Sequence, residues 1–263
     1  MNLVDIGANL SHESFQHDLD KVVGSALASG LSHIIITGTD QASNEAALAM
    51  AKARPQIFSC TVGYHPHVAS NFDSTALESV RKLAAEDSVV AIGETGLDFN
   101  RNFSSKESQL QAFEQQLQLA IETGKPLFLH QRDAHNEFFE LLKAYRDQIV
   151  GGVVHCFTDS EKALQDYLAL DLYIGVTGWI CDERRGQELQ SLVGKIPSNR
   201  LLIETDAPYL LPRTLSPKPK TRRNEPRYLL EVVNAVAQHS GRSVEQVAAE
   251  THKNATDLFN IRR

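Results

Sequence analysis

Eight short runs of apolar and β-branched residues recur along the chain, each followed by an amphipathic stretch, and this alternation restricts the fold more than any other feature. The first four runs are LVDIGA (3–8), HIIITGT (33–39), IFSCTVG (57–63) and VVAIGET (89–95). The second four are PLFLHQ (126–131), GGVVHCF (151–157), LYIGVTG (172–178) and LLIETDA (201–207). Continuous apolar runs of this length suit parallel strands covered on both faces. Eight β-then-α units in 263 residues favour a closed (β/α)₈ barrel of the TIM type, which needs about 250 residues, over an open sheet. The α/β fold class follows, with residues 1–263 as a single domain. There is no linker, low-complexity segment or clear repeat.

The intervening stretches carry helix punctuation. ESFQHDLDKVVGSALASG ends in Gly30 and SSKESQLQAFEQQLQLAIETG ends in Gly124, both plausible stop residues. Ser104 with Glu107 has the spacing of a capping box. Asn224, Glu225 and Pro226 resemble a helix start, and two C-terminal helices are expected over 225–239 and 243–259. The basic, Pro-rich stretch 209–226 follows the eighth run and should lie over the barrel mouth.

Four metal-type side chains end apolar runs: Glu94, His130, His155 and Asp206. Groups at the C-terminal tips of barrel strands face the mouth, where this architecture places its chemistry. Their spacings are 36, 25 and 51 residues. A βα unit takes about 25–35 residues, so the last gap should hide a strand without a ligand, and LYIGVTG fits. Imidazole nitrogens and carboxylate oxygens together suit Zn²⁺, Mn²⁺ or Mg²⁺. Glu94 can bridge two ions, His130 and His155 can close on one of them, and Asp206 can hold a second ion or act as general base. A lone histidine at a strand end is more often structural, but four such residues at strand ends argue for a metal site.

Other residues are candidates for the substrate side. His65 and His67 in GYHPH follow the third run and could donate hydrogen bonds to a phosphate; Asp98 could orient a ligand or shape a turn. His135 is expected to be exposed on the helix after the fifth strand. His12, His17, His33, His239 and His252 have no partners at suggestive spacing. Phe99, Phe103, Phe157, Trp179 and Tyr209 near the mouth could stack on bases of an unpaired strand. Arg132, Arg184, Arg185, Arg222 and Arg223 could hold phosphates.

A net charge of −7 argues against a broad nucleic-acid-coating surface but leaves room for a local basic rim. Cys60, Cys156 and Cys181 are odd in number and show no zinc or redox spacing. The N-terminus lacks the pattern of a signal peptide, and no run of about 18 apolar residues exists to span a membrane. A cytoplasmic location and a monomer are expected.

The motifs GYHPH, AIGETGLDFNRNFS, PLFLHQRDAH, VVHCFT, YIGVTGW and LLIETDAPYLLP…RRNEP together resemble the TatD family of metal-dependent nucleases, nearly end to end. The resemblance implies an amidohydrolase-like (β/α)₈ hydrolase, commonly a Mg²⁺-dependent 3′→5′ exonuclease on single-stranded DNA or RNA. By motif match it implies Glu94, His130 and His155 as metal ligands, Glu94 being also catalytic, and Asp206 as the catalytic carboxylate or a ligand at the strand-eight end. It places His65 on the substrate side. Most of the family opens with His-x-His on strand one; here Gly7 and Asn9 stand in those places. Gly7 offers no side-chain ligand and Asn9 one amide oxygen. The expected cofactor is therefore Mg²⁺, with Mn²⁺ able to substitute, as one ion or two.

Two other readings compete. A hydrolase of small cyclic amides or esters would favour a carbamylated lysine near the end of strand four, where this chain has Glu94. A non-catalytic binding barrel would draw support only from the missing His-x-His.

Overall fold

All eight expected strands form, and they pair in parallel in chain order from β1 to β8. The computed structural model describes residues 1–261. Its strands are β1 (Leu3–Ala8), β2 (Leu31–Ile36), β3 (Phe58–Val62), β4 (Val89–Asp98), β5 (Leu127–Arg132), β6 (Gly152–Val154), β7 (Tyr173–Val176) and β8 (Leu201–Ile203). The seam is closed just beyond β8, where Ala8 bridges Ala207 in parallel. There Asp206 N donates to Gly7 O at 2.8 Å and Asn9 N to Ala207 O at 2.7 Å. The result is a TIM-type α/β barrel.

Outside the strands run α1 (Leu19–Ala28), α2 (Gln41–Ala53), α3 (Ser74–Ala84), α4 (Lys106–Thr123), α5 (His135–Tyr145), α6 (Glu161–Ala169), α7 (Gln187–Leu192), α8 (Leu229–Ser240) and α9 (Val244–Phe259). Side chains of a strand alternate between its two faces. Inward-facing Val4, Ile6, Ile35, Ala91, Phe128, Val153 and Leu202 fill the barrel, and Ala255 and Phe259 of α9 join this cluster. The opposite faces meet the surrounding helices in a larger apolar layer. Asn254 fastens α9 below the barrel by donating to the carbonyls of Ser198 and Leu201, each at 2.8 Å.

Three local expectations are corrected. The cap of α4 is Ser105, which accepts from Ser108 N at 3.1 Å, and not Ser104. Ser104 instead accepts from Ser70 N and donates to His67 O, stapling the loop after β4 to the loop after β3. The stretch opened by Pro226 begins as a 3-10 turn, Pro226–Tyr228, so α8 starts at Leu229 and not 225. His135 is not free in solvent. It opens α5 and contacts the Tyr167 hydroxyl and Asp166 Oδ2, each at 2.9 Å. A neighbouring helix has reached it, which sequence spacing does not reveal.

Candidate metal centre

The alternation that fills the barrel also aims its chemistry. Two residues beyond inward-facing Phe128 comes His130, two beyond Val153 comes His155, and two beyond Leu202 comes Glu204. An apolar floor thus lies one layer beneath a polar one. β6 and β8 end at Val154 and Ile203, so His155, Glu204 and Asp206 stand just past the ladder.

Glu94 Oε1 is the focus. It lies 2.8 Å from His155 Nε2, 2.9 Å from His130 Nδ1 and 3.2 Å from His65 Nε2. Glu94 is 5 % exposed, which keeps this focus out of bulk water. Burial acts to raise the Glu94 carboxyl, but the charge of His155 and hydrogen bonds from His130 and His155 hold it well below the usual range. Burial likewise acts to lower both ring values. Hydrogen bonds to Asp98 and Glu94 nonetheless raise His130, and Glu94 and Glu204 raise His155 well above its ordinary value. Protons therefore cement this cluster of acids and imidazoles, at positions a divalent cation could take.

Among the described residues His65, Glu94 and His130 bring ligand-type atoms within 4.8 Å of one another. Proximity alone would make His65 a ligand, but its hydrogen bonding says otherwise. His65 Nδ1 accepts from His67 N at 3.0 Å. A neutral ring with an accepting Nδ1 carries its proton on Nε2, the atom that faces Glu94. Burial pulls His65 down to about 4, so this neutral donor form prevails at neutral pH. His130 is arranged the other way. Its Nε2 lies 3.4 Å from Asp98 Oδ2 while Nδ1 faces Glu94. With the Nδ1 proton displaced, a carboxylate behind the ring and a lone pair in front would give the usual arrangement of a metal-binding histidine. Asp98 also takes a 2.8 Å contact from His67 Nε2, and Asn100 N and Arg101 N donate to its Oδ1. Asp98 is thus both a turn anchor and the backing of His130.

Asp206 stands on the opposite side of the mouth in a left-handed backbone conformation with φ 53°. Its Oδ1 accepts from Asn9 Nδ2 at 3.1 Å. Burial, with Glu94 and Glu204 nearby, pushes its carboxyl up to about 8. A half-buried acid this reluctant to ionise is suited to a neighbouring cation. The donor set of Glu94, His130, His155 and Asp206 therefore fits a divalent metal ion.

These groups line a cavity of about 850 Å³ at the C-terminal end of the barrel. Asn9, His65, Arg132 and Trp179 line it too. Arg222 and Arg223 do not. Arg222 is exposed elsewhere, and Arg223 is already engaged by Asp18, Glu225 and the carbonyl of Ser14. Of the five aromatics, Phe103 and Tyr209 are exposed at the mouth, at 68 % and 52 %. Trp179 also faces it, with the Arg185 guanidinium over its ring at 4.5 Å. Phe157 is buried against Tyr167, and Lys106 covers Phe99. Burial pushes the thiols of Cys60 and Cys156 up to about 12 and that of Cys181 to about 11, so none is a ready nucleophile.

Sequence reasoning passed over Glu204 and Arg101. Arg101 is a further cation lining the mouth. Glu204 is fully buried, and its Oε1 accepts from Cys156 N at 2.6 Å. Strand alternation could have found it, since it precedes Asp206 by two and interrupts an apolar run.

A closed parallel barrel with imidazoles and carboxylates converging on one buried oxygen at its C-terminal mouth defines a hydrolase-type metal barrel. The chain belongs to the TatD related DNase family, whose model matches residues 4–260. It is 48 % identical over 259 residues to the 3′-5′ ssDNA/RNA exonuclease TatD of Enterobacter lignolyticus, covering 98 % of this chain and 99 % of that one. Its fold is similar to a crystal structure of a TatD family hydrolase from Entamoeba histolytica, with a TM-score of 0.89, 28 % identity and coverage of 99 % and 98 %. It is equally similar to the TatD homologue YJJV from Escherichia coli, with a TM-score of 0.89, 26 % identity and coverage of 98 % of each chain. Among the described residues no helix is long and apolar enough to cross a membrane.

Proposed function

We propose that this chain is a divalent-metal-dependent nuclease that removes nucleotides from the 3′ end of single-stranded DNA and RNA. The observation that carries the reading is the convergence of His130 Nδ1 and His155 Nε2 on Glu94 Oε1, at 2.9 and 2.8 Å. The 3′ polarity and the single-stranded substrate come from the activity named for the enterobacterial relative.

In this reading Glu94, His130 and His155 would hold the ion, Mg²⁺ with Mn²⁺ able to substitute, and Asp206 would complete the site or hold a second ion. Such an ion, when bound, supplies positive charge to the phosphoryl oxygens and acidifies an attacking water. Asp206, once ionised, would take the proton of the attacking water; burial holds its carboxyl up at about 8. His65 offers its Nε2 proton to a phosphate oxygen. Phe103, Tyr209 and Trp179 give flat apolar faces to unpaired bases, and Arg101 and Arg132 give charge to the backbone. Glu94 stands where a carbamylated lysine would be needed by a cyclic-amide hydrolase, so the nuclease reading is favoured.

The test is digestion of end-labelled single strands and duplexes, with free or blocked 3′ ends, in Mg²⁺ or in chelator. Stepwise shortening of free-ended single strands only with metal is expected. Full activity in excess chelator would remove the metal reading. Equal digestion of 3′-blocked strands would replace the exonuclease by an endonuclease.

A further inference from the structure

Glu204 is a buried carboxylate with one oxygen left bare. Its Oε1 is satisfied by Cys156 N, but Oε2 has no hydrogen-bond partner and the residue is 0 % exposed. A buried, half-satisfied charge destabilises a fold unless a nearby cation or donor compensates it. The basic atom beside it is His155 Nδ1, 3.5 Å from Oε2. The other nitrogen of that ring is the one aimed at Glu94. The arrangement repeats that of His130, whose far nitrogen lies 3.4 Å from Asp98.

The seat for this carboxylate is built by two glycines on the strands flanking β8. A Cβ on Gly175 of β7 would lie 2.8 Å from Glu204 Oε1 and 3.1 Å from His155 Cα. A Cβ on Gly7 of β1 would lie 2.5 Å from Glu204 Oε2 and 2.9 Å from Phe128 Cζ. The Phe128 ring stacks on the His155 ring, with centroids 4.7 Å apart and planes at 29°. A single methyl group at position 7 would therefore crowd both of the groups that hold His155.

We infer that Glu204 is a positioning residue for His155, seated in a slot that Gly7 and Gly175 leave open, and that it sets the ring's tautomer and aim toward the metal centre. The glycine at position 7, which removes one ligand from the first strand, thereby makes room for the acid behind a remaining one. A carboxylate behind a ligating imidazole fixes the proton on the far nitrogen and makes the near one a better donor. The inference rests on the metal-centre reading of Glu94, His130 and His155.

The experiment is calorimetric titration of Mn²⁺ into the metal-free wild type and into Glu204→Gln, Glu204→Ala, Gly7→Ala and the Gly7→Ala/Glu204→Ala double variant, each with its melting temperature. Glu204→Gln keeps the shape and the acceptor for Cys156 N, so the fold should persist while Mn²⁺ affinity falls about 10- to 100-fold. Gly7→Ala should weaken Mn²⁺ binding as well. In the Glu204→Ala background the tighter of the two crowded contacts is gone and only Phe128 remains, so Gly7→Ala should add less loss than it causes alone, a non-additive pair. Saturating Mn²⁺ should restore most of the turnover of Glu204→Gln. Wild-type affinity in Glu204→Gln, or fully additive losses in the double variant, would overturn the positioning role while leaving the metal centre standing. No Mn²⁺ binding by the wild type would overturn both.

Discussion

Asn9 and Asp206 are locked across the seam of the barrel, with Asn9 Nδ2 donating to Asp206 Oδ1 at 3.1 Å. The backbone ties the same residues, since Asn9 N donates to Ala207 O and Asp206 N to Gly7 O. Asn9, just past β1, is thus more than a spectator at the mouth. It orients the acid on strand eight and favours that acid's ionised form. Asn9→Ala should leave the fold intact, because the backbone ties remain. A hydrogen bond to a charged group is worth about 1.5–3 kcal/mol, so cleavage should slow by about 10-fold or more. Asp206 should also become harder to ionise, moving the rise of the pH–rate profile toward higher pH. An unchanged rate and profile would free Asp206 from Asn9.

Metal binding should release protons. Burial holds Asp206 near 8, and Glu94 and Glu204 outweigh burial to hold His155 well above its ordinary value. Both carry a proton at neutral pH that an incoming ion must displace. Mn²⁺ affinity should therefore rise from about pH 6 to about pH 8, with proton release visible as buffer-dependent binding heats. Stability of the metal-free protein runs the opposite way with pH. Asp206 has a folded value above its unfolded one, so its contribution is present below about pH 4 and is lost as pH rises through about 8. Two imidazoles among the donors should also make Mn²⁺ saturate the site at lower concentration than Mg²⁺. A pH-independent Mn²⁺ affinity would exclude both residues from the site.

The Arg223 guanidinium is spoken for. It bridges Asp18 and Glu225 and lies over the Phe15 ring at 5.0 Å, so it joins the loop after β8 to the segment before α1. Arg223→Ala should lower stability by about 1–2 kcal/mol, a partly exposed network rather than a fully buried pair. Its KM for single-stranded DNA should stay within about twofold of wild type if the substrate reaches only the cavity-lining arginines. Arg132→Ala, by contrast, should raise KM with little change in melting temperature. Melting curves and steady-state kinetics on the two variants decide between these roles, and a large KM effect at Arg223 would return it to the substrate side.

The barrel was legible because each strand is a continuous apolar run and each helix has a different period. The convergence of His130 and His155 on Glu94 was legible because each of these polar side chains stands at the end of an apolar run, as His130 ends PLFLH. What stayed hidden depends on distance rather than pattern. Nothing in the spacing of His65 says that it lies 3.2 Å from Glu94, or that the His67 amide sets its tautomer. Arg223 reads as a free cation until folding brings Asp18 to it from 205 residues away. Glu204 was masked by the more conspicuous Asp206 two residues on. The three-residue lengths of β6 and β8 also escape hydrophobic runs, which continue past the last ladder bond.

Asp206 offers the sharpest separation of binding from chemistry. Its carboxylate is half-buried at the mouth, faces the same cavity as Glu94, and receives a side-chain hydrogen bond from Asn9. Asp206→Asn keeps the shape and an oxygen that can accept from Asn9, but removes the negative charge and the proton acceptor. Folding should be unaffected, since the backbone bonds from Asp206 N to Gly7 O and from Tyr209 N to Asp206 O do not involve the side chain. Single-strand binding should also persist, because the rim aromatics and arginines are untouched. The cleavage rate should fall by about 10²-fold or more, the scale of a lost general base. Raising the pH should restore part of the rate if the missing function is proton removal, because hydroxide then replaces it. If the acid instead bounds a second ion, raising the metal concentration should restore the rate. Single-turnover kinetics across pH and Mn²⁺ concentration separate the two, and undiminished cleavage by Asp206→Asn would remove Asp206 from the reaction.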